Sequence, residues 1–168
     1  GIGVANPYGL GTEWDDDWVG KAVTREASLE TFYIMPTIAY RFHDIVAIGA
    51  GVNVVYGSVL LRKAVTNFDP VMNLELDGSG VGVSWNIGVL VRPVDDISIG
   101  FSYREKTEIE YEGDAKFNPP ASLAARFPGG DVSTTITNPT TYFAGVAWNA
   151  TDDLVVEFDY QGVLWSSY

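Results

Sequence analysis

Bulky apolar residues alternate with smaller ones along the segment Ser84–Lys106. One face of an extended chain here carries Trp85, Ile87, Val89, Val91, Ile97, Ile99, Phe101 and Tyr103. The opposite face is mostly Ser, Gly and Asn, with Leu90, Arg92, Arg104 and Lys106 as the larger residues. A period of two predicts β-strands, but a soluble sheet would crowd charged side chains onto its second face. The small-residue face therefore indicates surroundings other than bulk water.

The same alternation predicts three hairpins with short turns. They are Glu30–Gly57, about Gly80–Tyr111, and Thr140–Leu164, with turns near Asp44, Asp95 and Asp152. Longer polar connections, Arg62–Asp77 and Gly113–Val132, separate them. Short turns thus alternate with long loops along the chain.

The predicted strands are too long for an ordinary soluble sheet. Strands of soluble proteins cluster near about 5–6 residues, whereas a tilted strand needs about 9–11 residues to cross a bilayer. In a transmembrane barrel the large apolar residues face lipid and the small or polar ones face the lumen. We therefore predict an all-β fold, an antiparallel transmembrane β-barrel. A soluble β-sandwich or lipocalin-like barrel is the alternative, but the minor face of Val46–Val59 holds no charge.

Composition narrows the classes of function. The chain has 168 residues, which suits a single domain, and a net charge of −12, which argues against binding nucleic acid. It has no cysteine, so disulfides and thiolate metal sites are excluded. The lone histidine, His43, lies in a predicted tight turn without a serine nucleophile pattern nearby. We therefore expect no enzyme activity, metal or cofactor.

Two features remain for a binding function. Asn6-Pro7 lies where the neighbouring pattern predicts a strand, and Pro7 lacks an amide donor, so this point is either a strand end or a deliberate kink. Apolar residues also lie in the predicted loop Arg62–Asp77, which could expose an apolar binding surface or pack on itself.

Several segments in order resemble the FadL-type long-chain fatty acid transporters of Gram-negative outer membranes. They are "NPYGLGTEW", "DDWVG", "LETFYIMPTIAYRFHDIVAIGAGVNVVYGS", "WNIGVLVRP", "IGFSYREK", "YEGDAKF" and "GVAW…WSSY". The resemblance implies a 14-stranded barrel with an N-terminal hatch that takes up fatty acids or aromatic hydrocarbons. Its members capture ligand at long outer loops and release it sideways through a kinked third strand.

The resemblance also assigns candidate residues. Asn6, Pro7, Tyr8 and Gly9 match the kinked strand, and Arg62–Asp77 and Gly113–Val132 match the capture loops. The expected loop contacts with ligand are Phe68, Val71, Met72, Phe117 and Phe127. Arg62 or Arg104 is expected to pair with a carboxylate head group. By position, the chain is expected to run from the third to the ninth strand, without the hatch and the last five strands.

The function expected from these residues is passive transport of hydrophobic compounds across the bacterial outer membrane. The expected partners are a fatty acid or hydrocarbon, outer membrane lipid and lipopolysaccharide, and no nucleic acid. A general porin or an adhesin-like barrel is the alternative. Charged rings around a wet constriction would favour the alternative, whereas apolar capture loops favour transport of lipid-like ligands.

Overall fold

The computed structural model describes residues 1–66, 71–121 and 123–167, and this part of the chain is built of β-strands. The strands are β1 Ile2–Ala5, β2 Gly9–Glu13, β3 Glu26–Phe42, β4 Val46–Val65, β5 Met72–Val94, β6 Ile97–Arg104, β7 Thr107–Phe117, β8 Gly130–Asn138, β9 Thr140–Thr151 and β10 Leu154–Leu164. Single 3₁₀ turns lie at Ala124–Arg126 and Trp165–Ser167. No helix among the described residues is long and apolar enough to cross a membrane.

The strands form one antiparallel sheet that curves into part of a barrel wall. Its order is β1–β3–β4–β5–β6–β9–β10, with β2 continuing β1 along the edge of β3. The first and third predicted hairpins are present, and the strands of the first are longer than predicted, since β3 and β4 pair from Glu26↔Arg62 to Phe42↔Val46. The prediction of an all-β antiparallel barrel is confirmed.

The two faces of the wall differ as the alternation predicts. The outer face exposes a broad apolar belt that includes Phe32, Ile34, Ile38, Tyr40, Val52, Val54, Val81, Val83, Trp85, Phe101, Trp148 and Phe158. The inner face is partly covered by the chain itself, with Tyr33 and Val55 almost fully buried. An exposed apolar belt with aromatic residues is what a lipid-facing barrel surface requires.

The second predicted hairpin is only partly right. β6 pairs with β5 but ends at Arg104, and the chain breaks at Glu105 and Lys106 instead of continuing to Tyr111. β7 then folds inward over the lumenal face of β4 and β5, where Ile109 and Tyr111 become buried. A side chain on Gly57 or Gly80 would collide with β7, so glycine at these positions allows the close approach.

Strands also extend into both predicted polar loops. β4 and β5 stay paired up to Val65↔Met72, and β7 and β8 form a hairpin from Thr107↔Asn138 to Ala115↔Gly130. Apolar residues still alternate with polar ones there, as Met72, Leu74 and Leu76 do in β5, but the opposite face carries charged side chains in place of small residues. Ion pairs between neighbouring strands, such as Arg62 with Glu75 and Lys116 with Asp77, support the ladder there.

Candidate functional site beneath an interrupted strand

The edge of the sheet is interrupted at Asn6, Pro7 and Tyr8. β1 pairs with β3 as far as Ala5↔Tyr33, and β2 resumes at Gly9↔Glu30. Three residues of one strand therefore face two of the other. Pro7 cannot donate to the ladder, which makes this point the natural place for the irregularity.

The extra residue reverses which side chains of the edge strand face the lumen. Before the interruption Val4 pairs with Ile34 on the outer face, and after it Leu10 pairs with Leu29 on the lumenal face. A shift of one residue exchanges the two faces of a strand, so even-numbered residues point inward after the break. Tyr8 is the first of them and packs against the buried core around Tyr33.

Polar side chains satisfy the backbone that the break leaves unpaired. The Thr31 hydroxyl donates to the Tyr8 carbonyl oxygen at 2.6 Å. In the amide orientation that its neighbours require, Asn6 Nδ2 donates to the carbonyl oxygens of Tyr8 at 2.9 Å and Thr31 at 2.7 Å. The interruption is therefore a hydrogen-bonded conformation rather than a frayed end.

Tyr8 reaches across the lumen to the far side of the wall. Its hydroxyl lies 2.9 Å from Thr141 Oγ1 and donates to the Pro139 carbonyl oxygen at 3.3 Å. Its ring meets Trp165 edge-on, with centroids 6.2 Å apart. These contacts hold the kinked edge of the sheet against the start of β9.

Arg104 packs its guanidinium against two tyrosine rings at the end of β6. Its Cζ lies 5.7 Å from the ring centre of Tyr8 and 5.2 Å from that of Tyr33. Nε of Arg104 is buried and has no hydrogen-bond partner among the described residues. Nor does any described carboxylate form an ion pair with Arg104. A cation held by aromatic faces keeps its donors available for an anion.

A cavity of about 580 Å³ opens on the lumenal side of the wall beside Arg104. Its lining is largely apolar or small, with few polar groups. The lining residues that project into the lumen include Met35, Ala39, Leu90, Ser102, Phe143 and Asp159. This size and character suit an apolar ligand with one polar end.

Arg62, the other candidate for a head group, is already paired. Its Nη1 lies 2.7 Å from Glu26 Oε2 and its Nε 2.8 Å from Glu75 Oε2. The hydrogen bonds that Arg62 donates to Glu75 and Glu26 raise its pKa above the ordinary value. Its charge is therefore largely neutralised by glutamates of the neighbouring strands β3 and β5.

The candidate loop contacts lie at the opposite end of the wall from the short turns. Val71 is about half-exposed, whereas Met72 is fully buried. The rings of Phe117 and Phe127 lie 5.4 Å apart at the tip of the β7–β8 hairpin. Phe68 lies outside the described residues. Arg104 and the kink are brought together, and these loop residues form a separate group.

Comparison with known proteins decides the family. The sequence profile described as "Outer membrane protein transport protein (OMPP1/FadL/TodX)" matches residues 1–168. The chain belongs to this family. The sequence resemblance is thereby confirmed, and membership places the chain in the bacterial outer membrane.

Sequence relatives and solved structures agree with this membership. The long-chain fatty acid transport protein of Escherichia coli O6:H1 is 24% identical over 139 residues, covering 69% of this chain and 31% of that protein. Outer membrane protein P1 of Haemophilus influenzae is 23% identical, covering 99% of this chain and 42% of that protein. The chain therefore spans less than half the length of each relative. The names are those of transport or membrane proteins, in line with the expectation that the chain is not an enzyme.

The fold of this FadL-type chain matches solved relatives. A Pseudomonas aeruginosa FadL homologue superposes with a TM-score of 0.88 at 16% identity, covering 99% of this chain and 45% of that one. A TodX monoaromatic hydrocarbon channel mutant gives 0.72 at 15% identity, covering 99% of this chain and 50% of that one. At such identities the likeness concerns the fold.

Sequence reasoning missed the buried polar residues that contact Tyr8 or its neighbour Tyr33. They are Tyr33, Thr107, Asn138 and Thr141, each no more than 3% exposed. One signal was available, because Asn-Pro occurs at Asn6-Pro7, Asn118-Pro119 and Asn138-Pro139, and each pair lies at the end of a strand. Proline removes a ladder donor and disfavours helix at the residue before it.

Proposed function

We propose that this FadL-type chain forms part of a passive path for hydrophobic compounds through the outer membrane. The observation that carries the proposal is the cavity of about 580 Å³, largely apolar, on the lumenal side of the wall next to Arg104. Such a cavity gives a hydrophobic molecule a binding site beneath a polar cell surface. The names of the fatty acid transport relatives and of the hydrocarbon channels support the same class of cargo.

The ligand occupies three positions in turn along the path that we propose. Ligand first meets the apolar residues of the outer ends of the hairpins, where Val71, Phe117 and Phe127 lie. It then enters the cavity beside Arg104. It leaves sideways at the interruption Asn6–Gly9, where β3 loses its regular neighbour.

Between the two proposed cargo classes, the contacts of Arg104 favour fatty acids. Its buried Nε lacks a partner among the described residues, and Arg104 is one of the residues that line the apolar cavity. A carboxylate would pair with it while the acyl chain occupies the cavity. The Arg62 side chain does not offer this, because Glu26 and Glu75 occupy it.

The experiment that tests this function is uptake by cells in which the intact native protein is the sole channel of its class. Labelled oleate and labelled toluene are compared with cells that lack the channel. We expect both to enter faster with the protein than without it, and oleate to gain more. Uptake that does not exceed that of cells without the channel would contradict the proposal, as would equal acceleration of a hydrophilic sugar.

A further inference from the structure

Three interruptions of the strands meet at one place in the lumen. They are the kink Asn6–Tyr8 between β1 and β2, the break at Glu105 and Lys106, and Pro139 between β8 and β9. Tyr8 contacts Pro139 and Thr141, and the Lys106 backbone amide donates to Thr140 Oγ1 at 3.2 Å. The kinked edge of the wall thus touches the base of the β7–β8 hairpin directly.

The meeting point is a closed polar core. Asn138 Nδ2 donates to the Tyr33 hydroxyl at 2.8 Å, and the hydroxyls of Thr107 and Ser84 lie 2.6 Å apart. Thr107 and Thr141 are each 1% exposed. Water cannot replace a broken bond at such a site, so a buried polar group that loses its partner is costly. A displacement of the base of the β7–β8 hairpin therefore displaces the kinked edge as well.

The β7–β8 hairpin links this core to its own outer tip. Its two strands are paired without a break from Thr107↔Asn138 to Ala115↔Gly130. Phe117 and Phe127 contact each other just beyond the last pair. A continuously paired hairpin is a stiff element, and β7 is also paired with β5 from Leu74↔Phe117 to Ser79↔Glu112. The outer part of the hairpin and β5 therefore move together, and a displacement there reaches the base.

We propose that Tyr8 and Thr141 form a latch that couples the β7–β8 hairpin to the kink. Ligand at the hairpin displaces its base, the bond between the two hydroxyls is lost, and the kinked segment becomes free to move. Tyr8 and Thr141 act as positioning residues for the exit. The inference rests on the proposed function only for the identity of the ligand, because the latch itself is a contact within the chain.

The latch has two distinguishable states because its contacts are of two kinds. The hydroxyl bond to Thr141 is directional and is lost with a small displacement, whereas the ring contacts of Tyr8 with Arg104 and Tyr33 tolerate sliding. A ligand shifts such an equilibrium only by binding one state better than the other. The proposal therefore requires that ligand prefer the unlatched hairpin.

The test measures the accessibility of a single cysteine placed beside the kink. The chain has no cysteine of its own, so Ala5→Cys in the intact protein reports on this position, provided that any cysteine in flanking sequence is replaced. Outer membrane vesicles are treated with a small water-soluble methanethiosulfonate reagent, and the labelling rate is measured with and without oleate. The backgrounds are the native residues, Tyr8→Phe, Thr141→Val, the double variant, and Thr141→Ser, which keeps the hydroxyl.

We expect Tyr8→Phe and Thr141→Val each to raise the labelling rate about fivefold, the factor expected for one neutral hydrogen bond. The double variant should label no faster than Tyr8→Phe, which already removes the bonds of the Tyr8 hydroxyl to Thr141 and Pro139, and Thr141→Ser should match the native residue. Oleate should raise the rate in the native background and not in Tyr8→Phe. Heat-modifiability on gels confirms folding, and a variant that fails this control is replaced by its partner variant, because either removes the same bond.

Three results would overturn the latch. They are an unchanged labelling rate in both single variants, additive effects in the double variant, and an equal response to oleate in native and Tyr8→Phe protein. The first two are measured without ligand, so they hold even if oleate is not the cargo. Failure of the proposed function is recognised separately, as uptake no faster than in cells without the channel.

Discussion

The hydroxyl of Tyr8 lies 2.9 Å from Thr141 Oγ1, although 133 residues separate the two in sequence. This contact joins the kinked edge of the wall to β9, on the far side of β6 in the sheet order. It is possible only because one extra residue in the interruption turns Tyr8 inward. The kink, Arg104 and the base of the β7–β8 hairpin consequently form one unit.

The interruption at Asn6–Tyr8 should be needed for exit of the ligand. Deleting Pro7 together with Asn6→Val removes the extra residue, so that β1 and β2 can pair with β3 as one regular strand. We expect oleate uptake by the intact protein to fall by about an order of magnitude while the protein still folds. The matched control is Asn6→Val with Pro7 kept, which changes the side chain without restoring the register. Unchanged uptake in the deletion variant would remove the kink from the path.

Arg104 should distinguish acids from neutral hydrocarbons. Arg104→Gln removes the charge but retains hydrogen-bonding capacity, and a charge-assisted bond contributes about 1.5–3 kcal/mol. We therefore expect the half-saturating oleate concentration to rise by about tenfold or more, with toluene uptake unchanged. Initial uptake rates over a range of concentrations measure both.

Arg62→Gln is the matched control for Arg104. Arg62 has the same charge but is bound by Glu26 and Glu75, so we expect little change in oleate uptake. If the two variants behaved alike, or if Arg104→Gln slowed toluene equally, Arg104 would not be the carboxylate contact.

Packing of β7 onto the lumenal face should contribute strongly to stability. Ile109 is fully buried against Tyr33 and Val55, so Ile109→Ala leaves a cavity that costs about 2–5 kcal/mol in the free energy of unfolding. Urea unfolding of the intact protein in lipid vesicles, followed by tryptophan fluorescence, measures the loss. Val132→Ala, at a half-exposed position of β8, should cost much less. Equal costs for the two variants would show that β7 is not packed in this way.

The outer face of the wall should tolerate charge poorly. Ile87 lies in β5 among the exposed apolar residues, and a lysine on a lipid face near the bilayer midplane costs about 2–4 kcal/mol. Ser102, on the lumenal face of the neighbouring strand, is the matched control. We expect Ile87→Lys to lower folding yield in vesicles and Ser102→Lys to leave it nearly unchanged. The reverse order would mean that the two faces have been exchanged.

Alternation identified the lipid-facing strands because one face of each is strongly apolar. Val46–Tyr56 and Trp85–Val91 are such segments, and a register error there would put a whole apolar face into the lumen. Beyond Arg104 the alternation continues, because Glu108, Glu110 and Glu112 alternate with Ile109 and Tyr111, and this pattern fits a further lipid-facing strand equally well. The inward course of β7 therefore could not be predicted from the pattern.

The candidate site, too, could be predicted from the sequence only in part. Asn6-Pro7 carries a local signal, because proline interrupts a ladder wherever it lies in a strand. The partners of Arg62 and of Tyr8 come from other strands of the sheet, and only the folded structure shows which arginine is paired and which meets the kink. Local chemistry predicted the break, and tertiary contacts determined its neighbours.

The most direct test of the proposed path is to find where the ligand binds. A long-chain fatty acid carrying a diazirine near the end of its acyl chain is added to cells that produce the intact protein. After irradiation, the labelled residues are mapped by mass spectrometry. Binding in the cavity predicts label on lumenal residues such as Met35, Leu90 and Phe143, and less of it in Arg104→Gln. Label confined to the outer lipid-facing belt, unchanged by Arg104→Gln, would contradict transport through the lumen.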